Sequence, residues 1–286
     1  MQKNFIDTED FDISFTQLEN AAVVIIPVPF DGTSTYGKGA DLGPDAILDA
    51  APHLEFYDIE TQSEVFRKGI FTAEAIIEEQ VDDMVATVFD KCSKYIRNKK
   101  MIVLLGGEHS VSIGSIQAHA AEFPNLTVLQ FDAHSDMRNE YHGSIFNHAC
   151  VMARAKELCN VVQVGIRSID KSELENIPAN QVFYAENIRN QSDWKEQMLS
   201  KITENVYITI DLDVFDPSIM PSTGTPEPGG MYWYEVIDAL NLVCQNRNVV
   251  GFDVVELAPT QYNKAPDFMA AKLIYKLLTY KYFYAK

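Results

Sequence analysis

The chain has 286 residues, with 41 acidic side chains against 23 basic ones, a formal charge of −18 at pH 7 and a pI near 4.6. So acidic a balance argues against nucleic acid or an anionic membrane as partner, because both are recognised through basic surfaces. With 47% hydrophobic and 22% charged residues the composition is that of a folded globular chain and not of a disordered acidic one.

The first fifteen residues, MQKNFIDTEDFDISF, carry no basic region followed by an apolar stretch, so no signal peptide is expected. No run approaches the roughly 20 apolar residues of a membrane span. The four cysteines (Cys92, Cys150, Cys159, Cys244) contain no CxxC pair and suit free thiols in a reducing compartment, which makes the cytoplasm the expected location. Short apolar, β-branched runs follow one another at 22–28, 101–105, 126–131, 161–165, 205–210 and 248–255. Most are continuously apolar, the pattern of strands buried on both faces of a parallel sheet. Helical spacing lies between them, in Ile77, Val81, Met84, Val85, Val88, Cys92 and Tyr95, and again in Ala270, Leu273, Ile274, Leu277 and Leu278. Alternating strands and helices predict a doubly wound α/β sandwich. No linker, repeat or composition break divides the chain, so 1–286 reads as one domain. The Gly/Pro-rich stretches 31–44 and 217–230 read as long ordered loops, which are usually functional.

In such a sheet, ligands bind beyond the carboxyl ends of the strands, and the unusual residues stand there. Run 101–105 is followed by Gly106-Gly107-Glu108-His109-Ser110, run 126–131 by Asp132-Ala133-His134-Ser135-Asp136, run 205–210 by Asp211-Leu212-Asp213, and run 248–255 by Glu256. In extended backbone, residues two apart point the same way, so Asp132, His134 and Asp136 can converge on one point, as can Asp211 and Asp213. Four aspartates with two histidines suit two divalent ions about 3.5–4 Å apart. A carboxylate-rich set without thiolates favours a hard to borderline ion such as Mn²⁺. Taken singly, Asp132 or Asp211 could be a helix cap and His109 a hydrogen-bonded loop residue; their coincidence at several strand ends in one chain favours a metal centre.

The segments GGEHS, DAHSD, TIDLDVFDPS, STGTPEPGG and DVVELAP, in this order and spacing, resemble the ureohydrolase (arginase/agmatinase) family over residues 29–278, and GTSTYGKGADLGPDAIL at 32–48 is similar to the family's N-terminal loop. The resemblance implies a three-layer α/β/α sandwich around a mostly parallel sheet of about eight strands, two Mn²⁺ per subunit, and a homo-oligomer, trimeric or hexameric. It implies one ion on His109, Asp132, Asp136 and Asp211, and the other on Asp132, His134, Asp211 and Asp213, with a hydroxide between them attacking the guanidinium carbon. It further implies that Asp136 relays a proton, that Glu256 anchors the guanidinium, and that a histidine shuttles protons to the departing amine. His148, in NHAC, fits the spacing of that histidine better than His142, in YHGS.

The loop Met137-Arg138-Asn139-Glu140-Tyr141 departs from arginases and resembles agmatinases, and STGTPEPGG is agmatinase-like with Ser222 where glycine is commoner. The expected substrate is therefore a small cationic guanidine, agmatine, cleaved to putrescine and urea. Aminopropylagmatine, guanidinobutyrate and arginine are the alternatives, and Ala40-Asp41, in place of a basic residue before Gly-Pro, leaves substrate length open. Asp170 is the candidate distal contact, with Glu173 a weaker one; Asp170 could equally cap the following helix. Arg138 could hold a substrate carboxylate or make a salt bridge with Glu140 or a neighbour. A two-metal phosphoesterase and a non-catalytic metal-binding assembly protein are the readings from other classes. Tyr232, Trp233 and Tyr234 read as packing or interface residues, Cys150 as a buried thiol, and His53 and His119 have no ligand partners at useful spacing.

Overall fold

A computed structural model of the chain describes residues 3–6 and 11–284. Its eight-stranded sheet comprises β1 (Val23–Val28), β2 (Ile70–Thr72), β3 (Met101–Gly106), β4 (Leu126–Phe131), β5 (Asn160–Ile166), β6 (Val182–Tyr184), β7 (Asn205–Asp211) and β8 (Asn248–Val255). The spatial order is β2-β1-β3-β8-β7-β4-β5-β6, and every pairing is parallel. All six apolar runs became strands. The two edge strands, β2 and β6, are three residues each and too short to stand out as runs.

Alternate side chains along each strand feed two cores. Val23, Ile25, Val103, Leu105, Ile208 and Ile210 face α1 (Gly43–Ala50), α6 (Trp194–Lys201), α7 (Trp233–Asn246), α8 (Ala265–Tyr284) and the short α5 (Ala185–Ile188). Val24, Ile26, Ile102, Leu104 and Val128 face α2 (Val81–Arg97), α3 (Ser112–Glu122) and α4 (Val151–Lys156). The expected sandwich is present. One detail differs: Ile77 precedes α2 and is 71% exposed, so the helix begins at Val81, and Met84, Val85, Val88 and Cys92 form its buried stripe.

The strands carrying the unusual residues are adjacent. β3, β8, β7 and β4 occupy the middle of the sheet, and the register aligns Leu105 with Val254, Val254 with Ile210, and Ile210 with Phe131. Their carboxyl ends are therefore level. Because β7 and β8 return between β3 and β4, chain order and spatial order part company there, which opens a crevice at that edge.

Helix α8 is buried on nearly all sides and carries the cation Lys276 inward. Lys276 Nζ lies 2.7 Å from Asp58 Oδ2 and 2.6 Å from Glu60 Oε2, and Tyr280 donates to Glu60 at 2.7 Å. Burial pushes the Asp58 carboxyl up, but Lys276 and Thr61 outweigh it and hold it below the ordinary value. Its stabilising contribution is thus present above the unfolded-state pKa of about 4 and fades as pH falls through the lower folded value. Lys276→Ala, which leaves Asp58 buried without its cation, should cost about 3 kcal/mol in urea unfolding at pH 7, and a smaller part of that difference should remain at pH 3.

Candidate active site

Each strand end converts into a turn whose backbone N–H groups aim the carboxylates. Asp132 Oδ1 accepts from His134 N at 2.6 Å, Asp211 Oδ1 from Asp213 N at 2.9 Å, and Asp213 Oδ1 from Ala133 N at 3.0 Å. Asp211 caps the 3-10 turn Leu212–Val214, so the capping role weighed for it is real and coexists with its place in the cluster. In Asp211 and Asp213 the capped oxygen leaves Oδ2 for the centre. The turn after β3 depends on Gly107, where a Cβ would stand 2.0 Å from the carbonyl oxygen of Phe30. Asp136 and Glu256 adopt φ of 52° and 67°, conformations that cost non-glycine residues about 1–3 kcal/mol and cluster where function requires a fixed side chain. They are held by Met152 N and Ala153 N donating to Asp136 O, and by Glu256 N donating to Gly107 O at 2.8 Å.

The histidines close the cluster. His109 Nδ1 is buried without a hydrogen-bond partner, yet lies 2.9 Å from Asp136 Oδ2, 3.2 Å from Asp132 Oδ2 and 3.5 Å from Asp211 Oδ2. His134 Nδ1 is 2.9 Å from Asp213 Oδ2 and 3.7 Å from Asp132 Oδ1. Two groups, His109–Asp132–Asp211 and Asp132–His134–Asp213, can each present one ligand atom per residue to a single ion, and they share Asp132. An unbonded ring nitrogen surrounded by carboxylate oxygens fits the donor set of a hard to borderline divalent cation.

The electrostatics reflect this crowding. Burial and the Asp132 charge push Asp136 up to about 7; burial, Asp213 and Asp132 push Asp211 well above the carboxylate range. Burial lowers both ligand-like histidines, but the carboxylates outweigh it, raising His109 well above its ordinary value and His134 to about 12. Burial would raise Asp132, yet the adjacent His109 and His134 rings hold it low.

The same cavity, about 180 Å³, is lined by Glu256, His148, Arg138, Tyr141 and Asp170 as well as by His109, His134, Asp136 and Asp211. Glu256 Oε1 accepts from His109 N at 2.8 Å, leaving Oε2 toward Gly224, and burial together with Glu108 raises its carboxyl. His148 lines the cavity, whereas His142 is exposed, is not among the lining residues and lies tilted against the Tyr141 ring at 4.1 Å. Burial and the charges of His109 and His134 lower His148 to about 4. Arg138 pairs with Asp170 Oδ2 at 3.5 Å and Glu173 Oε1 at 3.4 Å and lies 4.4 Å over the Tyr141 ring, so its partners are these and not Glu140. Asp170 takes the capping role: its Oδ1 accepts from Ser172 N at 2.9 Å at the start of the turn Lys171–Glu173, and the residue also lines the cavity.

Several supporting residues were not singled out in the sequence. His109 Nε2 meets Thr209 Oγ1 at 2.9 Å, Thr209 donates to Asp253 at 2.6 Å, and Tyr207 donates to the other Asp253 oxygen at 2.7 Å. Gln130 Nε2 donates to Asp132 Oδ2 at 2.6 Å, and Gln130 Oε1 accepts from Gln163 Nε2 at 2.6 Å. Each is a polar residue inside an otherwise apolar run, the one signal that could have found them. Arg167 reaches the carbonyls of Asp213 at 2.6 Å and Glu227 at 2.9 Å, fastening the 217–230 loop beside the centre. Elsewhere, His119 bonds Ser115 O and packs on Gly251, burial raises the Cys150 thiol to about 12, and Trp233 stacks on Phe215 while Tyr232 and Tyr234 are exposed.

Protons and metal ions compete for this cluster. The raised values of His109 and His134 favour protons on the ion-free centre, and an ion needs the ligand atoms unprotonated. Mn²⁺ loading should release protons, read by calorimetry as a binding heat that varies with the buffer's ionisation enthalpy, and affinity should fall as pH is lowered from 8 to 6. A heat independent of buffer would contradict this.

The sequence profile of the arginase family matches residues 21–279. The chain is 38% identical to the N(1)-aminopropylagmatine ureohydrolase of Synechocystis sp., covering 97% of this chain and 94% of that protein. It is 32% identical to the agmatinase of Pyrococcus horikoshii, over 94% and 95%. Among solved structures, the agmatine ureohydrolase of Thermoplasma volcanium superposes with a TM-score of 0.87 at 30% identity, covering 97% of each chain. Fold, clustered strand-end ligands and relatives agree: the chain belongs to the arginase family of ureohydrolases.

Proposed function

We propose that the protein hydrolyses the guanidinium group of a linear polycationic guanidine, N(1)-aminopropylagmatine ahead of agmatine, with two Mn²⁺ ions. The observation that carries the guanidine assignment is Glu256: a carboxylate fixed by a strained backbone and by His109 N on Oε1, lining the cavity that also holds the aspartate–histidine cluster. A carboxylate so placed can accept parallel N–H bonds from a planar guanidinium. The sequence reading put agmatine first; the greater similarity to the Synechocystis enzyme, 38% against 32% for the Pyrococcus agmatinase, moves the longer substrate ahead. Agmatine is the second reading, supported by that agmatinase and by the Thermoplasma structure.

The cavity's charges support a cationic tail over an anionic one. Arg138 is the cation among its lining side chains that would anchor a substrate carboxylate, and Asp170 and Glu173 already compensate it. Guanidinobutyrate and arginine therefore lack a free anchor, whereas an amine can share Asp170. Ions bound by the cluster would lower the pKa of water and supply a nucleophile at neutral pH. Glu256 holds the guanidinium facing the cluster. Asp136, on the cavity wall beside the cluster, is placed to pass a proton to the departing nitrogen. His148 exchanges protons from the cavity wall. From aminopropylagmatine the products are urea and a triamine; from agmatine, urea and putrescine.

Urea release by the Mn²⁺-loaded protein should be fastest on aminopropylagmatine, slower on agmatine and slowest on arginine and guanidinobutyrate, compared as kcat/KM. Arginine as the best substrate would overturn the tail assignment, and no urea from any of them would overturn the function. His148→Asn should lower kcat by about 10²–10⁴, the range for a lost general acid–base group, while His142→Asn should leave it within about twofold; the reverse pattern would transfer the role to His142.

A further inference from the structure

Behind His148 lies a chain of hydrogen bonds that the reaction as described does not use. Thr33, in the loop at 31–44, places its hydroxyl 3.1 Å from His148 Nδ1, and the same oxygen accepts from His148 N at 3.0 Å. On its other side the Thr33 hydroxyl donates to Glu108 Oε1 at 2.9 Å, and Thr33 N donates to that atom at 3.2 Å.

Glu108 is fully buried and takes two further donors, Ser110 Oγ at 2.7 Å on Oε1 and Ser110 N at 2.7 Å on Oε2. Four donors converge on the Glu108 carboxyl and oppose the upward push of its burial, so Oε1 is the acceptor of the Thr33 hydroxyl. The bonds of the Thr33 hydroxyl can then be counted. A hydroxyl has one hydrogen and two lone pairs. The hydrogen goes to Glu108, one lone pair receives His148 N–H, and the second receives the ring. Nδ1 must therefore carry the ring hydrogen. In neutral imidazole that leaves Nε2 as the basic atom, on the ring of a residue that lines the cavity.

We propose that Thr33, backed by Glu108, is a positioning residue for His148, fixing the Nδ1–H tautomer so that Nε2 is the atom that exchanges protons in the cavity. This rests on the reading of His148 as the proton-transfer group. Two contacts from one hydroxyl, to the main chain and to the ring of the same histidine, also prevent the ring from flipping. The Tyr141 ring meets the imidazole edge-on, with centroids 5.9 Å apart. The arrangement parallels the carboxylate that orients the histidine of a hydrolytic triad, with a hydroxyl inserted between carboxylate and imidazole.

The test compares Thr33→Val, which keeps the shape and removes the hydroxyl, with Thr33→Ser, which restores it; Thr33→Ala repeats the deletion without added bulk. In the Mn²⁺-loaded enzyme, Thr33→Val and Thr33→Ala should lower kcat about 10- to 100-fold with KM within about twofold, and Thr33→Ser should recover most of the loss. Independently of activity, long-range proton–nitrogen spectra of protein labelled in its six histidines and loaded with diamagnetic Mg²⁺ should show His148 as the Nδ1–H tautomer in the unsubstituted protein and in Thr33→Ser. That preference should be lost in Thr33→Val. The proposal is overturned if the tautomer survives Thr33→Val, or if Thr33→Ser is as impaired as Thr33→Val, which would mark the role as packing. If the unsubstituted protein releases no urea from any guanidine, the functional reading fails and the spectra alone decide the tautomer.

Discussion

The rest of the structure is organised around the mutual repulsion of carboxylates gathered at one edge of the sheet. Asp132, Asp136, Asp211 and Asp213 are all nearly inaccessible to solvent and surround two histidine nitrogens. Two like charges about 4 Å apart repel by about 4 kcal/mol at an effective dielectric near 20, so such a cluster exists only where something opposes the repulsion. Backbone N–H groups from the turns after β4 and β7 oppose part of it, each fixing one oxygen of Asp132, Asp211 or Asp213. The remainder needs positive charge, from protons or from divalent ions. Metal dependence is thus a consequence of the geometry as much as of the chemistry to be done.

That geometry is carried by layers of support beneath it. The centre's carboxylates and rings are braced by Gln130 and Gln163 on one side, and by Thr209, Asp253 and Tyr207 on the other. These groups lie within the strands themselves, so the site is built on the central sheet. The two loops that complete the cavity are tied to it and to each other: Gly37 donates to Gly224 O at 3.2 Å, an approach that a side chain at Gly37 would obstruct at 2.6 Å, and Arg167 fastens the second loop through Glu227 O. Strain sits only where side-chain direction matters, at Asp136 and Glu256 among the residues assigned to the centre.

The outer end of the cavity illustrates how one residue's meaning changes with its neighbours. Arg138 alone suggests an anion-binding anchor. Between Asp170 and Glu173, and against the face of Tyr141, it becomes part of a compensated wall. Asp170 in turn uses one oxygen for the local cap and turns the other to Arg138. Which charges at this wall are paired and which are free is something that no count of charges in the chain reveals.

Much of this was legible in the sequence, for identifiable reasons. Strands buried on both faces read as continuous apolar runs, so β1, β3, β4, β5, β7 and β8 stood out, and the ligand-like residues stood at their ends, where a doubly wound sheet puts its sites. β2 and β6 did not, because three-residue edge strands carry no periodic signal. Ile77 misled because helical spacing does not say where the backbone starts to wind. The residue types and their strand-end positions follow from the chain alone, since both are local properties of the polypeptide. Three things needed the tertiary structure: that β3, β8, β7 and β4 are neighbours, that Arg138 is neutralised, and that Thr33 and Glu108 stand behind His148. Each depends on contacts between segments far apart in sequence, and such contacts are chosen by packing the whole sheet, not by any window of residues within it.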